Sequence, residues 1–201
     1  MQTTAQLLPT AMRELTTTNR SPMPLNPKFV DWLGFQTFGD AELLKMAAAA
    51  QEWVSAFKAN ESPRWLSFIG NSGTGKTHIC KKLWIYAKVK SDWQRFDYFP
   101  KVVFWPDFVQ QLRAGDSFEL RQEMKRWPVL FLDDIGAERD PSGFAAEELN
   151  TLLGCRVGKW TFITSNKDAD GIKKVDGRIF SRLIRDKNIC VGINTKDFSE
   201  R

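Results

Sequence analysis

Five stretches of the chain gather apolar residues into short runs, and much of the rest spaces them as a helix does. Trp65-Leu66-Ser67-Phe68-Ile69, Val129-Leu130-Phe131-Leu132 and Trp160-Thr161-Phe162-Ile163-Thr164 read as buried strands. Lys101-Val102-Val103-Phe104-Trp105, ended by Pro106, and Ile189 to Ile193 complete the set. Between them the spacing predicts helices. Asp40 to Ala59 offers Leu43, Leu44, Ala47, Ala48, Trp53, Val54 and Phe57 for burial, with Asp40 as cap and Asn60-Glu61-Ser62-Pro63 as stop. Further helices are expected over His78–Lys90, Asp107–Arg113, Ser117–Trp127, a span from after Pro141 to Arg156, and Val175–Lys187. Strands alternating with helices imply an α/β fold with a mostly parallel sheet covered on both sides.

The first residues differ from this. Met1 to Pro27 is poor in pattern, with one short helix expected over Gln6–Leu15 and turn or linker chemistry at Thr16-Thr17-Thr18-Asn19 and Ser21-Pro22-Met23-Pro24. Asn26 to Phe38 crowds Phe29, Val30, Trp32, Leu33, Phe35 and Phe38 together, so it is expected to fold back on the core. The division is therefore a short N-terminal segment or linker, 1–27, and one domain, 28–201.

Composition narrows the class. A chain of 201 residues with 42% apolar content supports one domain with a real core. Net charge is +5, and it is unevenly spread: residues 1–60 are neutral overall, while residues 157–201 hold ten basic and six acidic side chains. That excess is either a solvated face or a surface for a polyanion. Cys80, Cys155 and Cys190 are widely spaced and are expected to be buried, reduced thiols. One histidine, His78, argues against a zinc site or an Asp-His triad. No run reaches membrane-spanning length, and no signal-peptide layout opens the chain, so the expected location is the cytoplasm.

The chemistry lies at the strand ends. Gly70-Asn71-Ser72-Gly73-Thr74-Gly75-Lys76-Thr77 fits the phosphate-loop pattern in full, between an expected strand and a helix that His78 opens. Its glycines let backbone N–H groups turn toward phosphate oxygens, and the helix N-terminus favours the same charge. Lys76 would reach the terminal phosphates, and the Thr77 hydroxyl would ligate Mg²⁺. Asp133 and Asp134 end an apolar strand, where mutual repulsion calls for a cation. Asp133 would hold Mg²⁺ and Asp134 would orient or deprotonate the attacking water. Asn166, leaving the strand that starts at Trp160, either contacts that water or the γ-phosphate, or makes an Asx turn. Arg178 and Arg182 lie four apart on one helical face. They are either surface charges, or one of them reaches a neighbour's γ-phosphate through its planar fork.

Together these motifs resemble an AAA+ ATPase, in the group that holds the DnaC-type helicase loaders and the IstB-like transposition ATPases. The likeness runs from about Gly34 to the C-terminus. Leu33-Gly34-Phe35-Gln36-Thr37-Phe38 resembles the segment lining the adenine side, and Gly70 to Thr77 the Walker A loop. Leu132-Asp133-Asp134-Ile135-Gly136 resembles Walker B, Thr164-Ser165-Asn166 sensor 1, and Ile179-Phe180-Ser181-Arg182-Leu183 the arginine-finger segment. The resemblance implies a P-loop core with a reduced or absent helical lid, ATP and Mg²⁺ as ligands, and His78 beside the nucleotide. It implies Arg182 as finger with Arg178 accompanying it, and assembly of copies that depends on nucleotide. It also implies a replicative DNA helicase as partner, or alternatively a transposase, and single-stranded DNA. The DNA surface would use Lys167, Lys173, Lys174, Arg178 and Arg185, or stack bases on Trp93, Phe96, Tyr98 and Phe99 near Arg95. Arg201 resembles an arginine near the loaders' end. The segment before Asn26 is shorter than a loader's helicase-binding domain, which would suit a phage or mobile-element loader. A nucleotide-gated interaction module with little turnover is the competing class.

Overall fold

A computed structural model describes residues 24–90, 99–115 and 118–201. The expected helix over Gln6–Leu15 lies outside the described residues, as do Trp93, Arg95, Phe96 and Tyr98. The described chain runs α1 (Pro27–Leu33), α2 (Ala41–Ala59), β1 (Trp65–Gly70), α3 (Lys76–Lys90), β2 (Lys101–Phe104), α4 (Trp105–Arg113), α5 (Phe118–Arg126), β3 (Val129–Asp133), α6 (Phe144–Gly154), β4 (Trp160–Ser165), α7 (Ala169–Ile184) and β5 (Ile189–Ile193). A short 3₁₀ turn, Phe198–Glu200, follows.

The strands form one sheet in the order β2-β3-β4-β1-β5, every neighbouring pair parallel. Alternation along each strand supplies two cores. Leu66, Phe68, Phe131, Phe162 and Val191 face α2 and α3, while Trp65, Ile69, Leu130, Leu132 and Ile163 face α4 to α7. Burial on both faces explains why β1, β3 and β4 read as continuous apolar runs. Among the described residues no helix is long and apolar enough to cross a membrane.

The N-terminal aromatic stretch does fold back. Asn26 caps α1, its backbone N–H donates to Gln51 Oε1, and Leu33 and Phe35 are buried against α2 and α3. Full burial of each such side chain stabilises by roughly 1.5–3 kcal/mol.

Local differences have local causes. Trp105 opens α4 instead of closing β2, because Pro106 fits a first helical turn and the indole is wholly buried. The helix expected to run to Arg156 stops at Gly154. α7 starts at Ala169, six residues before expectation, since the Asp168 side chain caps it by accepting from Gly171 N at 2.7 Å. It then breaks at Asp176 (φ −163°, ψ 117°), whose carboxylate accepts from Arg178 N at 2.8 Å and starts the helix afresh. Cys80 and Cys190 are buried, but Cys155 is exposed: it follows the last turn of α6, where the chain turns at the surface.

Arg156 is the least expected interior residue. It is fully buried, and its guanidinium donates to Thr161 Oγ1 and to the carbonyls of Met124, Trp127 and Trp160 at 2.8–3.0 Å. Burial lowers its pKa to about 9, so it stays charged at neutral pH. It ties the C-terminal end of α5 to the start of β4.

Candidate nucleotide site

All strands point the same way, so their C-terminal ends share one edge, and the phosphate loop sits there. The loop is hung between two strand exits. Gly70 N donates to Lys167 O just beyond β4, and Asn71 N donates to Ile193 O of β5, both at 2.9 Å. Gly70 has φ 124°, and a Cβ there would lie 2.0 Å from Ile193 O, so β1 and β5 approach as closely as they do only with glycine present.

Lys76 is buried beneath the loop, with Nζ donating to Gly70 O (3.0 Å), to Asn71 O and to Thr74 Oγ1 (3.3 Å). Burial lowers its pKa to about 8, opposed by the charges of Asp134 and Asp133. A cavity of about 600 Å³ opens in front, lined by Gly34, Phe35, Gln36, Gly73 to His78, Asn166 and Phe198. Asn71 and Ser72 face a second, adjoining space with Asn166, Lys196 and Arg201. His78 Nε2 contacts Leu33 O at 2.8 Å and its ring stacks near Phe35, so it holds the N-terminal segment against the cavity.

Below the loop the acids are organised by hydroxyls. Thr77 Oγ1 donates to Asp133 Oδ1 at 3.1 Å, and Thr164 Oγ1 donates to the same oxygen at 2.6 Å. Thr164 Oγ1 also accepts from Asp134 N at 2.8 Å. Asp134 has φ 62°, in the left-handed region, at the turn where the chain leaves β3. Its Oδ1 accepts from Asn166 Nδ2 at 2.7 Å. Burial and the neighbouring Asp133 raise the pKa of Asp134, while Lys76 and Asn166 oppose this. The strand order explains the convergence: β4, carrying Thr164 and leading directly into Asn166, runs between the loop strand β1 and the acid strand β3.

The donor set fits Mg²⁺. One hydroxyl and one carboxylate are hard oxygen ligands, and Mg²⁺ takes few protein ligands, completing its shell with phosphate and water.

Arg178 and Arg182 lie elsewhere. Arg182 lines a cavity of about 220 Å³ with Arg64, Arg185 and Asn188, beside the residues that enter β1, β4 and β5. The six residues of β1 put that edge roughly 17 Å from the phosphate loop of the same chain. Arg178 is exposed and paired with Asp176 (2.7 Å) and Glu147 (2.8 Å).

Of the residues expected to face DNA, Lys173 pairs with Asp170 (3.1 Å) and lies over the Phe180 ring (4.8 Å). Lys167 packs over Gly136, and Lys174 and Arg185 are exposed on α7 and just after it. Phe99 is half-buried beside Lys88.

Apart from Arg201, sequence reading missed the segment after β5. Phe198 packs on Phe35 and Phe38 at 5.4 and 5.6 Å, and its N–H donates to Gly73 O at 3.0 Å. Arg201 pairs with Asp40 at 2.9 Å, and Thr195 Oγ1 also donates to Asp40. The run Asn194 to Arg201 has no strong period, and its aromatic residue is the signal that could have marked a wall.

A phosphate loop on an inner strand, paired acids on the next strand but one, and a polar strand end between them define an AAA+ core of the P-loop class. The chain belongs to the family described as the bacterial DnaA ATPase domain, whose model matches residues 25–189. It is 31% identical over 172 residues to the chromosomal replication initiator protein DnaA of Limosilactobacillus fermentum, covering 83% of this chain and 37% of that one. It is 28% identical over 140 residues to the replicative helicase loader DnaI of Bacillus subtilis, covering 67% of this chain and 43% of that one. The chain thus spans well under half the length of these relatives. Replication initiator DnaA bound to AMPPCP and single-stranded DNA shares the fold, with a TM-score of 0.63 at 22% identity over 87% of this chain and 52% of that one. These likenesses place it among AAA+ proteins related to replication initiators and helicase loaders, and not specifically among the DnaC-type or IstB-like groups.

Proposed function

We propose that residues 28–201 form an ATPase domain that binds ATP with Mg²⁺, hydrolyses it between copies of the chain, and acts in the cytoplasm as a replicative helicase loader on single-stranded DNA. One observation carries the ATPase reading: the Thr77 and Thr164 hydroxyls converge on Asp133 Oδ1 while Asn166 binds Asp134, all under the phosphate loop. Lys76 and the loop N–H groups bind the phosphates, and Thr77 with Asp133 holds the cation. Asp134, its pKa raised and its carboxylate oriented by Asn166, takes the proton of the attacking water. Mg²⁺ supplies charge neutralisation on the phosphate oxygens. Arg182 stabilises the charge that develops on a neighbour's γ-phosphate, the role its distance from its own loop favours.

The loader reading draws support from the likeness to DnaI and from the Asp133-Asp134 and Thr164-Ser165-Asn166 strand endings. An initiator-type role is the second reading, favoured by the family match. The test has two parts. Lys76→Ala is expected to lose nucleotide binding, and Asp134→Asn to bind ATP but hydrolyse it about 10²–10⁴-fold more slowly. Wild-type turnover in both variants would refute the ATPase site. A pull-down offering replicative helicase and transposase then decides the partner: helicase retention supports loading, and transposase retention supports the IstB-like alternative.

A further inference from the structure

Arg178 and Arg182 stand one turn apart on α7, yet they are held in opposite ways. Arg178 is closed by two carboxylates, Asp176 and Glu147, which offset its charge. Arg182 makes one side-chain bond, from Nε to Asn150 Oδ1 of α6 at 3.0 Å. Its carbonyl accepts from Asn188 Nδ2 at 3.1 Å, which fixes the backbone beneath it. Its guanidinium lies over Gly154 at the end of α6, where a Cβ would meet Nη2 and Nη1 at 3.4 and 3.5 Å. Among the described residues neither Nη atom is bonded, and Arg182 lines the 220 Å³ cavity with Arg64 and Arg185.

An arginine side chain has many rotamers to lose when it is held in one place. A single bond at Nε restricts it and leaves both forward donors of the fork available. The partner must be neutral if the charge is to remain, and Asn150 is a neutral amide, buried to 6% exposure.

We propose that Asn150 is a positioning residue for Arg182. It holds the guanidinium without bonding it to a carboxylate, although Asp176 and Asp186 lie near, and leaves it to meet the terminal phosphate of the nucleotide bound by a second copy of this chain. The inference rests on the shared-site reading above. It also gives α6 two duties, because that helix follows the Asp133-Asp134 turn of its own site and orients the arginine offered to the next.

The test measures kcat, KM, nucleotide affinity and melting temperature on the full chain carrying Asn150→Ala, Asn150→Asp, Arg182→Ala and the Asn150→Ala/Arg182→Ala pair. Asn150→Ala is expected to lower kcat by about 10²-fold, the cost of a misplaced group, with nucleotide affinity unchanged. The double variant should be no slower than Arg182→Ala, since an arginine that is gone needs no aiming. Asn150→Asp keeps the shape and the Nε bond, so it carries the test if the alanine variant folds poorly. Its carboxylate should neutralise the guanidinium and also lower kcat, whereas a purely structural Asn150 would tolerate it. Wild-type kcat in either Asn150 variant, or losses that add in the double variant, overturns the proposal. So does weaker oligonucleotide binding at unchanged kcat, which would assign the cavity to nucleic acid. If Arg182→Ala itself retains full turnover, the shared-site reading falls; if only the Asn150 variants do, that reading stands and this inference alone falls.

Discussion

The two edges of the sheet are built on different plans. At the C-terminal edge, Lys76, Thr77, Asp133, Asp134, Thr164 and Asn166 bond to one another or to the loop backbone, and the arrangement is complete within one chain. At the N-terminal edge, Arg64, Arg182 and Arg185 gather around a small cavity with Asp186 as the one acid lining it. One edge is a set of mutually satisfied partners, and the other is a set of like charges. Like charges held near one another are unfavourable without an anion, just as paired carboxylates are without a cation. The comparison teaches that the loop edge satisfies itself while the arginine edge is left seeking an anion, which is the asymmetry the proposed sharing between copies needs.

The sharpest way to break that comparison is to mix variants. Arg182→Ala should bind nucleotide yet turn over about 10³-fold or more slowly, and Lys76→Ala should be inactive on its own. Mixed, they should regain part of the activity, because the Lys76→Ala copy still offers Arg182 to an intact loop. No recovery at any ratio, with light scattering showing co-assembly, would return the arginine edge to a surface role.

A second test separates support from chemistry at the arginine edge. Arg156→Ala leaves the Met124, Trp127 and Trp160 carbonyls short of a donor in the interior, each costing about 1–3 kcal/mol. Urea unfolding should show a loss of about 3 kcal/mol or more, and Arg156→Lys should not restore it, since an ammonium cannot span the four acceptors. A loss under about 1 kcal/mol would mean that the guanidinium is not the tie between α5 and β4.

The smallest effect concerns Asp40 at the loop edge. Thr195 and Arg201 hold its carboxyl well below the usual carboxylate range. A pKa lowered by folding stabilises above the unfolded value, near 4, and that stabilisation is lost as pH falls toward the folded value. Asp40→Asn keeps a good helix cap but loses the ion pair, so the wild type should melt higher at pH 7, by about 1 kcal/mol or less. The gap should shrink steadily as pH falls below about 4; a gap of the same size at pH 2 as at pH 7 would assign the effect to something other than this charge.

Much of the loop edge was legible because its motifs are contiguous. Gly70 to Thr77, Leu132 to Asp134 and Thr164 to Asn166 each declare themselves within a few residues, and the strands beneath them are buried on both faces. What stayed hidden depends on meetings across the chain. Asn150 meets Arg182 from 32 residues away, and Arg201 meets Asp40 from 161. The break in α7 was missed because Asp176 sits in an otherwise helical pattern, and only the capping of Arg178 N reveals a new start. Arg156 was missed because nothing in a sequence marks a cation as interior when its partners are carbonyls rather than acids.

The segment after β5 has a practical consequence. Phe198 forms part of the candidate nucleotide cavity's wall, and Arg201, clasped by Asp40, lies over the Phe198 ring and lines the adjoining space, so residue 201 stands beside that cavity. A dye attached there would sense from the adjoining space whether the cavity is filled, turning the domain into its own occupancy gauge.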